Sequence, residues 1–95
     1  MRGYEVMYII NPALEEEAVS GVVEKFKNLL ETNGGEISKL DRWGKRRLAY
    51  EIDDLKEGHY VLCNFNSKPA AAHELDRVMK IADDVVRHMI IRIDE

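Results

Sequence analysis

Four cations, Arg42, Lys45, Arg46 and Arg47, fall within six residues, and the single tryptophan, Trp43, and Gly44 sit among them. An arginine fork meets phosphate oxygens two at a time and lies flat on planar groups. An indole face accepts a base, a sugar or a guanidinium. The rest of the chain is acidic, 18 Asp and Glu against 14 Lys and Arg, for a net charge of -4. The cluster is therefore a local site on an acidic body, not part of a general basic coat. An edge strand that uses charge to block edge-to-edge pairing would also be basic. Four cations together with Trp43 and Gly44 favour a binding site over that plainer reading.

Other reactive types form no comparable set. His59, His73 and His88 lack metal-ligand spacing, and no Cys or carboxylate pair completes a site. Cys63 is the sole cysteine, so no disulfide is possible within the chain, and a small buried apolar role suits it. Glu15, Glu16 and Glu17 suit the positive end of a helix. Gly34-Gly35 follows a helix and precedes a strand, the reverse of a phosphate-cradling loop. Tyr4, Tyr8, Tyr60 and Phe65 fall in strands that should be neighbours. They are either a base-stacking platform or, as is commoner for strand aromatics, core. Arg2, Arg87 and Arg92 either extend the basic surface or are scattered solvated charge.

The elements that must hold these residues follow from periodicity. Tyr4 to Ile10 is apolar on both faces, as in a central strand. Asn11-Pro12 ends it. A helix opens at Glu15–Glu17, carries Val19, Val22, Val23, Phe26, Leu29 and Leu30 on one face, and closes at Asn33-Gly34-Gly35. Glu36 to Ile52 is a long strand, bent or bulged at Gly44, with Leu48, Tyr50 and Ile52 on its buried side. Asp53 to Gly58 reads as a turn, and His59 to Asn66 returns antiparallel. Ser67 caps a second helix with Pro69 in its first turn, and Leu75, Val78 and Met79 lie on its apolar stripe. Asp83-Asp84 breaks it, and Val85 to Ile93 is the last strand.

The order is strand, helix, strand, strand, helix, strand, the split βαβ or ferredoxin-like pattern of the α+β class. Right-handed crossovers put both helices on one face of a four-stranded antiparallel sheet and leave the other face free. At 95 residues the expectation is one domain, 1–95. No apolar run approaches the roughly 18 residues of a membrane span, and the first residues lack a signal-peptide core. These point to a cytoplasmic protein with no membrane partner.

Several segments together resemble a known family. Arg2-x-Tyr4-Glu5, Asn11-Pro12, the block Trp43-Gly44-Lys45-Arg46-Arg47-Leu48-Ala49-Tyr50-Glu51-Ile52, Gly58-His59-Tyr60 and Val86-Arg87-His88-Met89-Ile90 resemble bacterial small-subunit ribosomal protein six, across essentially the whole chain. The resemblance implies a structural subunit of the ribosome that binds the central domain of the small-subunit ribosomal RNA. It also implies a heterodimer with small-subunit ribosomal protein eighteen, a small basic protein. It implies no catalysis, cofactor, metal or small-molecule substrate. On it, Arg2, Tyr4, Trp43, Lys45, Arg46, Arg47 and Arg87, with Arg42 added from the cation cluster, form the expected RNA- and partner-binding surface.

Two other classes compete on the same fold. An acylphosphatase-like hydrolase needs a phosphate-cradling Gly-Arg loop after the first strand. That position reads Asn11-Pro12-Ala13-Leu14-Glu15, without Gly or Arg. A ligand-sensing regulatory domain needs a pocket that no loop here suggests.

Overall fold

The computed structural model describes residues 1–52 and 55–93. The chain runs β1 (Arg2–Ile10), α1 (Glu16–Thr32), β2 (Glu36–Ile52), β3 (Leu55–Ser67), α2 (Pro69–Ile81) and β4 (Val85–Arg92). The strands form one antiparallel sheet in the order β2-β3-β1-β4, so the split βαβ expectation is met and β1 is central.

Period-two alternation sorts the strand side chains. Val6, Tyr8 and Ile10 of β1 and Val61, Cys63 and Phe65 of β3 face the helices and join Val19, Val22, Val23, Phe26 and Leu30 of α1 with Ala72, Leu75 and Met79 of α2 in one core. Tyr8 meets Phe26 edge-on, with ring centroids 5.4 Å apart. Cys63 is buried here, and burial raises its thiol pKa to about 11, which makes it inert at neutral pH.

Local chemistry fixes the ends. Asn11 Oδ1 accepts the Ala13 amide at 2.9 Å, so the loop after β1 is a side-chain-stabilised turn. α1 ends as the sequence predicts. The Gly35 amide bonds the Leu30 carbonyl and the Gly34 amide the Glu31 carbonyl, the paired bonds that satisfy a helix end. α2 differs in detail, because Lys68 rather than Ser67 is its N-cap and Ser67 Oγ donates to the Lys68 carbonyl.

β2 is irregular in three places, one of them between Arg47 and Ile52 in the outer part of the strand. Its pairing with β3 shifts between Ile37 and Lys39, where Ser38 Oγ donates to the Asn64 carbonyl, and again between Arg42 and Gly44. Gly44 has φ +81°, a left-handed conformation that an L side chain resists, so the expected bulge is there.

The expected turn from Asp53 to Gly58 needs correction. β3 already begins at Leu55, while Asp53 and Asp54 lie outside the described residues. Arg46 pairs with Gly58 and Arg47 with Glu57, whereas β1 stops at Ile10 opposite His59. The β2–β3 hairpin thus runs on past the sheet as a two-stranded ribbon.

Candidate nucleic-acid interface

The face without helices is the natural place to look. It carries Met7 and Ile9 of β1, Tyr60 and Leu62 of β3, and Arg87, Met89 and Ile91 of β4, by the register and the alternation of the strands. Met89 is 49% exposed and Ile91 44%. An apolar surface of this kind marks a contact site.

The bulge at Gly44 decides what Trp43 does. It adds a residue to β2 and lays the indole parallel to Tyr60, with ring centroids 6.3 Å apart and planes 6° off parallel. Trp43 still keeps 45% of its surface exposed. Arg46 Nε donates to the Trp43 carbonyl at 3.1 Å, tying the cation to the bulge. Lys45, Arg46 and Arg47 are all exposed, and the side chains of Lys45 and Arg47 form no hydrogen bond or ion pair with another described residue. Trp43 and Arg46 therefore share the open side where the ribbon leaves the sheet, while Lys45 and Arg47, on either side of Arg46, alternate to the other side of β2 and are exposed there, so the basic patch wraps the strand.

Arg87 joins the same end from the opposite edge. It pairs with Ile9 across the β1–β4 ladder, and its Nη1 donates to Tyr50 Oη at 2.7 Å. That bond raises the Arg87 pKa further, so its charge is permanent. Tyr50 is 63% exposed and reaches across to β4, where the sequence pattern gave it a buried side; Leu48 beside it is buried as expected.

The remaining expected site residues lie elsewhere. Arg42 is on the helix side, where Nη1 donates to Ser20 Oγ and Nη2 to Glu16, both of α1. It anchors β2 to α1. Tyr4 is half-buried and stacks on Phe65 at 5.4 Å on the helix side. Arg2 starts β1 opposite Ser67, about 23 Å along the strand from Ile9 at the usual rise per residue. Arg2 and Tyr4 are thus at the far end from Arg46 and Arg47. The four-aromatic platform does not form either, because Tyr8 and Phe65 are buried under the helices and only Tyr60 faces the open side.

Sequence reasoning missed Tyr50 and Gly58 as structural partners of the patch. A Cβ on Gly58 would lie 2.2 Å from Ile9 Cγ2, so the ribbon approaches β1 too closely for any side chain there. A glycine inside a strand was the available signal. Among the described residues there is no group of His, Cys, Asp and Glu able to hold a metal ion, and no helix is long and apolar enough to cross a membrane.

The family described as ribosomal protein S6 matches residues 3–92. A small ribosomal subunit protein bS6 of Desulforamulus reducens is 65% identical over 95 residues, covering 100% of both chains. That of Carboxydothermus hydrogenoformans is 55% identical, over 100% of this chain and 99% of the relative. The crystal structure of 30S ribosomal protein S6 from Thermotoga maritima superposes with a TM-score of 0.92 at 34% identity, over 96% of this chain and 86% of that one. The P2 domain of the chemotaxis kinase CheA, at 14% identity and a TM-score of 0.65, shares the fold alone.

Proposed function

The chain belongs to the ribosomal protein S6 family, and from that premise we propose that it binds the central domain of the small-subunit ribosomal RNA jointly with small-subunit ribosomal protein eighteen. As a member of the family it is a structural constituent of the small ribosomal subunit, not an enzyme. The observation that carries the RNA part is the run of exposed cations Lys45, Arg46 and Arg47 that follows the Trp43–Tyr60 stack along β2.

Phosphate contacts from those cations supply affinity, and the shape of the RNA supplies placement. The net charge of -4 works against tight binding by the chain alone. A basic partner offsets that repulsion, and the apolar open face around Met7, Leu62, Met89 and Ile91 is available to it.

The test measures binding of a central-domain RNA fragment at several salt concentrations, by the chain alone, by the chain with protein eighteen, and by an Arg46→Ala/Arg47→Ala double variant with protein eighteen. We expect tight binding only from the pair. The double variant should weaken it and lower the salt slope by about one unit per lost phosphate contact. Equal affinity with and without the partner would overturn the joint mode. An unchanged affinity and slope for the double variant would remove these arginines from the RNA surface.

A further inference from the structure

We infer that the Arg87–Tyr50 bond is a clasp that holds the β2–β3 ribbon down over the open face, and that this closed position sets Lys45, Arg46 and Arg47 where they meet RNA. The second half rests on the RNA reading above.

The ribbon needs such a fastening. Beyond the Ile10–His59 pair it has no third strand beside it, and an isolated two-stranded ribbon is marginal in water. Its root is the Gly44 bulge, which bends the strand. Packing holds the near part. Leu48 and Ile9 are both buried on the open side, and Gly58 brings the backbone against Ile9 Cγ2.

Packing does not complete the job further out. A cavity of about 190 Å³ lies between ribbon and sheet, lined by Met7, Ile9, Leu48, Tyr50, Tyr60 and Arg87 among others. Protein side chains do not close the space under the ribbon, so packing contacts alone do not fix its height. The Tyr50 hydroxyl spans that gap to Arg87 on the outermost strand, and the bond joins β2 to β4 over the top of β1. Arg87 and Tyr50 are thus positioning residues. They act on the basic patch through the ribbon and need not touch RNA themselves.

Tyr50→Phe tests this, because it deletes the hydroxyl and keeps the ring. Amide hydrogen exchange is followed in β2 from Lys45 to Tyr50 and in the core strand β1, and affinity for the central-domain RNA fragment is measured with protein eighteen present. The clasp predicts exchange in the ribbon faster by about three- to tenfold with β1 unchanged, the size set by one exposed hydrogen bond. RNA affinity should fall by a similar factor. Unchanged ribbon exchange overturns the clasp. Faster exchange with undiminished RNA affinity overturns the positioning role, provided Arg46→Ala/Arg47→Ala still loses affinity. If that double variant also binds normally, the RNA reading itself fails and takes the positioning role with it, while the exchange data still decide the clasp.

Discussion

The same strands present two faces of different character. On the helix side Val6, Val61 and Phe65 are each 1% exposed, and Ile10 is fully buried. On the other side Met89, Ile91 and Trp43 lie nearly half open, and the deeply buried side chains among the described residues are Ile9 and Leu48, where the ribbon folds back. Both faces are apolar in composition, so composition alone does not say which one is the core. The two amphipathic helices decide it, since each must bury its stripe and both crossovers bring them to one side. What they leave uncovered is an apolar surface over which, among the described residues, the β2–β3 ribbon folds back through Leu48 and Tyr50.

This contrast can be broken or sharpened by substitution. The largest effect belongs to Phe26→Ala on the helix side, expected to cost about 3–5 kcal/mol in urea unfolding because Phe26 is buried and packs on Tyr8. Gly58→Ala comes next, at about 1–3 kcal/mol, because its methyl group must displace Ile9. Met89→Ala on the open face should change stability by no more than about 0.5 kcal/mol. A loss there matching Phe26→Ala would mean the open face is not open.

The smallest effect is pH-dependent and belongs to the α2–β4 contact. Asp76 Oδ1 bonds His88 Nε2 at 2.7 Å, and its Oδ2 lies 3.0 Å from Lys80 Nζ. His88 first, then Lys80, holds the Asp76 carboxyl below its ordinary value of 3.8. A carboxyl depressed by folding binds protons more readily when unfolded, so its contribution is present above that ordinary value and is lost as pH falls through the folded one. Asp76→Asn should therefore flatten the acid limb of the stability curve slightly, read by urea unfolding between neutral pH and pH values well below 3.8. The contact is partly exposed, so the change is small.

Much of this architecture was legible because it is local. Apolar residues on both faces of Tyr4 to Ile10 marked a central strand, and β1 is central, though helices cover only one of its faces. Gly44 marked the bulge. The cation cluster was legible as a cluster, but not which cations stay accessible. Arg42 is one residue from Trp43, yet strand alternation and the bulge send it to Glu16 and Ser20 on the opposite side. Arg2 and Tyr4 belong to the same motif set as Arg46, yet strand length alone carries them to the other end of β1. Tyr50 read as a buried position because Leu48 is one. Its actual partner, Arg87, lies 37 residues away in sequence, a pairing that no local pattern encodes. Asp53 to Gly58 looked like a turn, and the start of β3 at Leu55 was hidden because glycine marks turns and close approaches alike.

The central position of β1 has a consequence for how the molecule is made. Its partners are β3 and β4, with Tyr4 opposite both Phe65 and Arg92. Nothing within the first half of the chain can pair with it. At the usual pace of synthesis, about 5–20 residues per second, the first strand emerges seconds before either neighbour exists. β1 is thus made before both of its neighbours, and its second side is enclosed only once β4 has been made. Such distant pairings also slow folding in general. A release that came before β4 would leave β1 as a bare edge strand, the kind of exposed edge that invites another chain.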